Sequence, residues 1–194
     1  MLNTCQAGGI DFVGINFVET SKRRVQLPLK KQENEVFERV GVFVNPTMIA
    51  LGQAIENYQL QVIQLHGNES LEFIDNCLQE FPNIKLWKAL SVDENLNHEK
   101  LQQYCKKCDL ILFDGKKPGS GNTILDQEKL SEAIFRTQSF GTKVGLAGGI
   151  NDQNITTFKQ KFPNIDLLDT ASGIEIDGQF SVPQTQLLIN NFNA

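Results

Sequence analysis

Hydrophobic and polar positions follow each other along this chain in blocks of two kinds. Short runs rich in β-branched and aromatic residues are each followed by a longer segment in which apolar residues recur every three or four positions. Runs of the first kind are typical of strands covered on both faces, and segments of the second kind predict amphipathic helices. We therefore predict strands over residues 11–17, 40–44, 61–65, 85–90, 109–113, 143–146 and 166–168.

A helix is predicted after every strand, over residues 28–37, 47–58, 70–81, 94–106, 126–137, 152–162 and 183–191. Thr47, Ser70 and Asn151 are residue types that cap helix N-termini, and each lies at or beside a predicted helix start. Strands that alternate with helices in this way indicate an α/β fold with a parallel sheet. The units share no side-chain consensus, which argues against a stacked repeat.

The number of units narrows the fold further. Seven strand–helix units follow a helical fragment over residues 2–7, whereas a closed barrel of this type contains eight units. We predict that residues 1–194 form a single domain, a parallel (βα)8 TIM barrel that lacks its first β-strand in this chain. An open doubly wound sheet is the alternative, although seven units without a switch point in strand order are less usual for that fold.

Charge and cysteine content restrict the function. The net charge of −5 and the single short basic cluster of Lys22, Arg23 and Arg24 argue against a nucleic-acid partner. No apolar run approaches the roughly 20 residues of a membrane helix, and the N-terminus lacks the regions of a signal peptide. Four cysteines fit a reducing cytoplasm, where we place the protein. Cys105 and Cys108 end a predicted helix rather than opening one, so we expect them to pack and not to serve redox chemistry.

Two loops that follow strands have the composition of a phosphate site. Gly148 and Gly149 precede a predicted helix, and Ser172 and Gly173 follow the last predicted strand. Small residues let backbone N–H groups approach an anion closely, and the loops after the last two strands of such barrels frequently bind phosphate. The sequence therefore predicts a small phosphorylated substrate.

Three further side chains at strand ends are candidates for the chemistry. Asp114 closes an apolar strand, and a carboxyl at a barrel mouth can donate a proton near neutral pH. His66 follows the third strand, and Arg23 offers a planar fork to a carboxylate. Each residue also has an interpretation without a chemical role: a solvated turn aspartate, a histidine satisfied by local hydrogen bonds, and a solvated loop cation, respectively.

These motifs resemble phosphoribosylanthranilate isomerases over essentially the whole chain. The match follows the family in order and spacing, in the segments Ser21-Lys22-Arg23, Phe43-Val44-Asn45-Pro46, Val62-Ile63-Gln64-Leu65-His66-Gly67-Asn68-Glu69-Ser70, Gly119-Ser120-Gly121, Leu146-Ala147-Gly148-Gly149-Ile150 and Asp169-Thr170-Ala171-Ser172-Gly173-Ile174-Glu175. The combination is specific, well beyond the features that all barrels share.

The resemblance implies an isomerase of tryptophan biosynthesis. N-(5-phosphoribosyl)anthranilate would undergo an Amadori rearrangement to 1-(2-carboxyphenylamino)-1-deoxyribulose 5-phosphate, with no cofactor and no metal. By the same resemblance, Asp114 is the general acid that protonates the ribose ring oxygen, and Arg23 lies near the anthranilate carboxylate. Further substrate contacts fall to Gln64, His66 and Asp169, and phosphate contacts to Gly148, Gly149, Ser172 and Gly173.

The chain departs from the family pattern in one important place. The family removes the C2′ proton with a cysteine at the end of the first strand, in a Lys-Ile/Val-Cys-Gly motif that this sequence lacks. Cys5 falls in the predicted leading helix and cannot replace it, and Ala171 stands where the family usually has serine. The loop after Asp114 is also short for the family. We expect an N-terminally shortened isomerase with weak stability and little or no activity.

Two other functions remain open from the sequence. An indole-glycerol-phosphate synthase would need a lysine acid, for which Lys88 is the obvious candidate. A non-catalytic relative would bind phosphate ligands or use its open edge as an interaction surface. The expected partner is a small phosphorylated molecule, with no nucleic acid or membrane, and the chain is expected to be a monomer or a homodimer, including a swapped dimer that supplies the lost edge.

Overall fold

A computed structural model of the chain describes residues 9–26, 35–92, 96–115 and 127–194. Seven parallel strands form one sheet in which each strand pairs with its neighbours in sequence order. Every predicted strand is confirmed to within two residues at each end. The strands are β1 (Phe12–Asn16), β2 (Glu38–Phe43), β3 (Val62–Leu65), β4 (Lys85–Ser91), β5 (Leu110–Asp114), β6 (Lys143–Ala147) and β7 (Leu167–Leu168).

Helices follow most of these strands and cover the outside of the sheet. They are α1 (Met48–Tyr58), α2 (Leu71–Glu80), α3 (His98–Cys105), α4 (Gln127–Ser139), α5 (Ile155–Lys161) and α6 (Val182–Asn193). Together with the parallel sheet they confirm the α/β class. The predicted segments over residues 2–7 and 119–121, and residues 28–34 of the predicted helix at 28–37, lie outside the described residues; residues 35–37 are not helical.

Two of the three predicted helix caps are confirmed. The side chains of Thr47 and Ser70 each accept a hydrogen bond from the backbone N–H three residues ahead, at the starts of α1 and α2. The predicted cap Asn151 is wrong, because α5 begins at Ile155 and not near residue 152. The Asn151 side chain instead accepts from the N–H groups of Gln153 and Asn154, which stabilises a turn ahead of the helix.

The sheet curls around a core of its own. The side chains that point to its inner face come from all seven strands: Phe12, Val40, Val62, Trp87, Ala89, Leu110, Leu112, Ala147 and Leu167. Phe12 of β1 and Trp87 of β4 meet edge to face, with ring centroids 4.8 Å apart. Strands three positions apart in a flat sheet are about 14 Å apart at the usual spacing. The ring contact therefore requires strong curvature of the kind found in barrels.

The outer face of the sheet packs against the helices. Alternate strand residues such as Ile63, Leu86, Ile111 and Leu146 are fully buried there, in the larger of the hydrophobic cores. Because successive strand side chains point to opposite faces, this alternation fixes which residues face inward at the strand ends.

Both edges of the sheet end without closing a ring among the described residues. β1 pairs with β2 and β7 pairs with β6, and neither pairs with another described strand. The strand order contains no reversal, so the doubly wound alternative is wrong. None of the described helices is long and apolar enough to cross a membrane.

After β7 the chain forms structure that the sequence pattern did not predict. A single 3-10 turn over Ser172–Ile174 leads into a hairpin of β8 (Glu175–Ile176) and β9 (Gln179–Phe180). Asp177 and Gly178 both have positive φ, which is the backbone of the tight turns that match the twist of paired strands. The Asp-Gly pair between two short alternating runs is the signal that could have predicted this hairpin.

Candidate active site

Strand alternation brings four of the predicted site residues to the inner face at one end of the sheet. Gln64, Asp114 and Asp169 each lie two positions after an inward-facing residue of β3, β5 or β7, and His66 lies two positions after Gln64. The carboxyl ends of parallel strands meet at the same rim, which is where barrels place their functional groups. These residues therefore share one mouth.

His66 and Asp114 are in direct contact at this mouth. His66 Nε2 lies 3.2 Å from Asp114 Oδ2, and both side chains are partly exposed. The backbone N–H of His66 donates to the carbonyl of Phe43 at the end of β2, so the residue that carries the imidazole is held in line with the sheet. The pair joins the ends of β3 and β5 and leaves Asp114 open to a ligand in the mouth.

Asp169 adds a second carboxyl to the cluster. The pKa of Asp169 is raised to about 6, first by burial and then by the nearby charge of Asp114, whereas His66 acts in the opposite direction. Pairs of neighbouring carboxyls whose surroundings shift their pKa values are a common basis for proton transfer in active sites. The position of Asp169 is fixed by its backbone N–H, which donates to the carbonyl of Leu146.

Gln64 is buried on the inner face of the curled sheet, with 5% of its surface exposed. Its side chain points to the same inner face of the sheet as His66, and no hydrogen bond joins its amide to a described residue. No buried side-chain N or O within the described ranges lacks a partner, so the amide end of Gln64 remains accessible from the mouth. Gln64 is thus available to a polar group of a bound molecule.

Gly148, in the loop after β6, packs closely against Asp114. Gly148 has a φ of +94°, and a Cβ at this position would lie 2.7 Å from Asp114 Oδ1 and 2.6 Å from the backbone nitrogen of Gly115. Only glycine allows this approach and this backbone conformation together. The loop after β6 therefore packs directly against the candidate acid.

The two predicted phosphate loops lie against each other. Thr170 Oγ1 donates to the carbonyl of Ile150 over 2.6 Å, and a Cβ on Gly173 would lie 2.2 Å from the same carbonyl oxygen. Gly149 faces open space with a φ of +73°, and Ser172 is exposed at the start of the 3-10 turn. The helix after Gly149 begins only at Ile155, so the expectation that the glycine pair directly precedes a helix is wrong.

Arg23 is paired with a carboxylate of the chain itself. Its Nε lies 2.5 Å from Glu175 Oε1, and its Nη2 lies 2.6 Å from Glu175 Oε2. The hydrogen bond to Glu175 raises the pKa of Arg23. Arg23 follows β1 and Glu175 follows β7, so this contact joins the two edges of the curled sheet at its rim. Arg23 was predicted as a site residue from the sequence, but no local sequence pattern connects it with Glu175.

Lys88 lies on the wrong face of the sheet for an active-site acid. Its side chain is 1% exposed on the outer face, where its ammonium group lies 3.0 Å from Glu69 Oε2. It also donates to the carbonyls of Leu65, Gly67 and Ala89. A lysine enclosed in this way cannot reach a substrate in the mouth, which removes the sequence feature on which the indole-glycerol-phosphate synthase alternative depended.

The described cysteines pack in the hydrophobic core, which for Cys105 and Cys108 confirms the prediction. Cys77, Cys105 and Cys108 are free and buried. Burial raises the pKa of Cys108 to about 12 and that of Cys77 to about 11, so neither thiol ionises readily. No group of three or more His, Cys, Asp or Glu within the described ranges could hold a metal ion.

Comparisons with known proteins show the family of the chain. A sequence profile described as N-(5'-phosphoribosyl)anthranilate (PRA) isomerase matches residues 2–192. The N-(5'-phosphoribosyl)anthranilate isomerase of Staphylococcus aureus strain Mu3 is 30% identical over 185 residues, which cover 93% of this chain and 86% of that protein.

Solved structures give the same result. Phosphoribosyl anthranilate isomerase from Thermus thermophilus is 25% identical and superposes with a TM-score of 0.76 over 98% of this chain and 92% of its own. A phosphoribosyl anthranilate isomerase in complex with reduced 1-(o-carboxyphenylamino)-1-deoxyribulose 5-phosphate has the same fold, with 23% identity and a TM-score of 0.76 over 98% of this chain and 91% of its own. The chain belongs to the N-(5'-phosphoribosyl)anthranilate isomerase family.

Proposed function

We propose that this protein catalyses the Amadori rearrangement of N-(5'-phosphoribosyl)anthranilate to 1-(2-carboxyphenylamino)-1-deoxyribulose 5-phosphate, a step of tryptophan biosynthesis. The observation that carries the proposal is the contact of Asp114 with His66 at the same mouth as the paired glycine loops. Membership of the isomerase family supports the same reaction. A proton donor next to an anion site is what a phosphorylated sugar needs for ring opening.

Asp114 is the general acid in this proposal. Protonation of the ribose ring oxygen by Asp114 breaks the C1′–O bond and leaves an iminium ion at the anilino nitrogen. His66 Nε2 contacts one carboxyl oxygen of Asp114. Gly148, which has no Cβ, packs beside the other. The carboxyl is thereby fixed toward the mouth, and a fixed donor avoids the reorganisation that free water requires.

The two anionic ends of the substrate have separate binding groups. Gly148, Gly149, Ser172 and Gly173 receive the phosphate, supported by the close packing of the two loops. Arg23 receives the anthranilate carboxylate. Two local sites of this kind suffice in a protein whose net charge is −5.

Gln64, His66 and Asp169 bind the sugar between these two ends. The amide of Gln64 makes no hydrogen bond to a described residue and remains accessible from the mouth, and sugar hydroxyls can both donate to it and accept from it. Asp169 can accept from a hydroxyl when ionised. The overall reaction moves hydrogen from C2′ to C1′ within one molecule, so it is balanced without an external oxidant, reductant or cofactor.

The base that removes the C2′ proton comes, in this proposal, from an eighth strand between β7 and β1. Each of these strands offers an unpaired edge among the described residues, and the Arg23–Glu175 contact brings the two edges together at the rim. Unpaired strand edges destabilise a sheet unless they are covered. The family resemblance implies a strand with a Lys-Ile/Val-Cys-Gly motif, whose cysteine would reach the same mouth.

Complementation of a tryptophan auxotroph that lacks the isomerase tests this function. We expect growth from the chain extended by a Lys-Val-Cys-Gly strand, weak or no growth from the chain as given, and none when Asp114→Asn is added. Glu132→Gln, which changes an exposed ion pair of α4, is the matched control and should leave growth intact. Absence of growth from the folded extended chain would support a non-catalytic relative instead.

A single domain in the cytoplasm, as monomer or homodimer, completes the proposal.

A further inference from the structure

The Arg23–Glu175 pair uses only one edge of the guanidinium. Glu175 accepts from Nε and from one proton of Nη2. The other edge, formed by Nη1 and the second Nη2 proton, makes no hydrogen bond to any residue that the structure describes. A guanidinium carries five N–H donors in a rigid plane, and each edge matches one carboxylate. Arg23 can thus hold Glu175 on one edge and a second carboxylate on the other.

The two partners differ in how firmly they are held. Arg23 is on the irregular segment after β1, and its side chain is 43% exposed, whereas that of Glu175 is 15% exposed. Glu175 opens the β8–β9 hairpin, which is closed by the Asp177-Gly178 turn and by the hydrogen bond from Ser181 N–H to the Ile174 carbonyl. The hydrogen-bonded hairpin therefore holds Glu175, and through it restricts the rotamers of the long Arg23 side chain.

We infer that Glu175 is a positioning residue that aims the free edge of Arg23 at the carboxylate of the substrate. This inference rests on the proposed function and specifies how that site selects its substrate. Holding the guanidinium in one orientation before binding removes a conformational cost that binding would otherwise carry. The effect is confined to substrates that have a carboxylate, and this restriction separates the role from a general contribution to folding.

If Glu175 instead competed with the substrate carboxylate for Arg23, the effect of removing its charge would be the opposite. A carboxylate already bound to Arg23 could compete with the substrate, and its removal would then strengthen binding. The geometry favours positioning, because Glu175 occupies the Nε edge and leaves the Nη1 edge vacant for a second carboxylate. At a rim exposed to solvent, the repulsion between the two carboxylates is also screened.

Calorimetric binding of two probes tests the inference. The first probe is reduced 1-(o-carboxyphenylamino)-1-deoxyribulose 5-phosphate, and the second is the same compound without the carboxyl group. We expect Glu175→Gln to weaken binding of the first probe by about tenfold, the size of one charge-assisted pair of hydrogen bonds, and to leave the second within about twofold. Glu175→Asp should retain part of the affinity, and Glu132→Gln, which alters the exposed pair with Arg136, should change neither probe.

Three results would overturn the inference. Equal weakening of both probes by Glu175→Gln would show a structural role, and tighter binding of the carboxylated probe would show competition. No change with either probe would show that the pair has no role in recognition. If neither the chain as given nor the chain extended by the Lys-Val-Cys-Gly strand binds either probe, the proposed function fails together with the inference, and this outcome is distinct from the other three.

Discussion

Lys88 Nζ lies 3.0 Å from Glu69 Oε2 beneath the loop that carries His66, and both side chains are 1% exposed. Glu69 also accepts hydrogen bonds from the backbone N–H groups of Asn45 and Gly67. Burial lowers the pKa of Lys88 although Glu69 opposes this. Burial also acts to raise the pKa of Glu69, but Lys88 and the backbone donors outweigh it and lower that pKa. The ion pair thus connects the ends of β2 and β3 with the middle of β4 on the outer face of the sheet.

Removal of one member of this pair is expected to be costly. Lys88→Met leaves the Glu69 carboxylate buried without its counter-ion, so we expect the free energy of unfolding to fall by about 3–5 kcal/mol. Lys85→Met on the same strand is the matched control, because its pair with Glu38 is exposed and should be worth less than about 1 kcal/mol. Urea unfolding of the two variants gives the comparison. Similar losses in both would contradict the structural role of the buried pair.

The raised pKa of Asp169 makes stability depend on pH in a defined direction. A carboxyl whose folded pKa is about 6, against an ordinary value of 3.8, opposes folding once it is ionised. Its contribution to stability is fully present below pH 3.8 and is lost as the pH rises through 6. Asp169→Asn removes this penalty, so we expect it to stabilise the chain at pH 8 by up to about 3 kcal/mol.

The gain from Asp169→Asn should shrink as the pH falls from 6 toward 4. Urea unfolding at several pH values between 4.5 and 8 measures the difference between the variant and the unaltered chain. A constant difference over this range would mean that the titration of Asp169 is not its origin. A loss of stability at pH 8 would show that the ionised carboxylate is favoured by contacts in the folded chain.

The two glycines after β6 should respond differently to the same substitution. In the chain extended by the Lys-Val-Cys-Gly strand, Gly148→Ala places a methyl group within 2.7 Å of Asp114 Oδ1 at a φ of +94°, so we expect loss of kcat together with a lower free energy of unfolding. Gly149→Ala meets nothing within 4 Å and carries only the cost of a positive φ, about 1 kcal/mol. It should act mainly on the KM of the phosphorylated substrate. Equal effects on kcat would contradict the packing of Gly148 against Asp114.

Local sequence patterns predicted most of the fold because the strands are buried on both faces. Runs such as the one that became β5 must be apolar throughout, and the Thr47 and Ser70 caps act within three residues of their own position. The prediction of Asn151 as a helix cap was wrong because asparagine stabilises a turn as readily as a helix start. The pattern was informative wherever the physical cause was local.

The site was predicted less completely because part of it depends on distant contacts. His66, Asp114 and Asp169 could be placed at one rim from strand ends alone. The pairing of Arg23 with Glu175 spans 152 positions in the chain, and nothing near either residue indicates the other. Likewise, Lys88 is a candidate acid from its position at a strand end in the sequence, but in the structure its side chain lies on the outer face of the sheet.

The role of Asp114 is tested most directly by separating catalysis from binding in Asp114→Asn. The substitution keeps the shape of the side chain and its contact with His66 but removes the transferable proton. In the chain extended by the Lys-Val-Cys-Gly strand, we expect kcat for N-(5'-phosphoribosyl)anthranilate to fall by about 10²- to 10⁴-fold, the usual contribution of a general acid. The Kd of the reduced product analogue should stay within about threefold. A kcat within threefold of the unaltered enzyme would contradict the account.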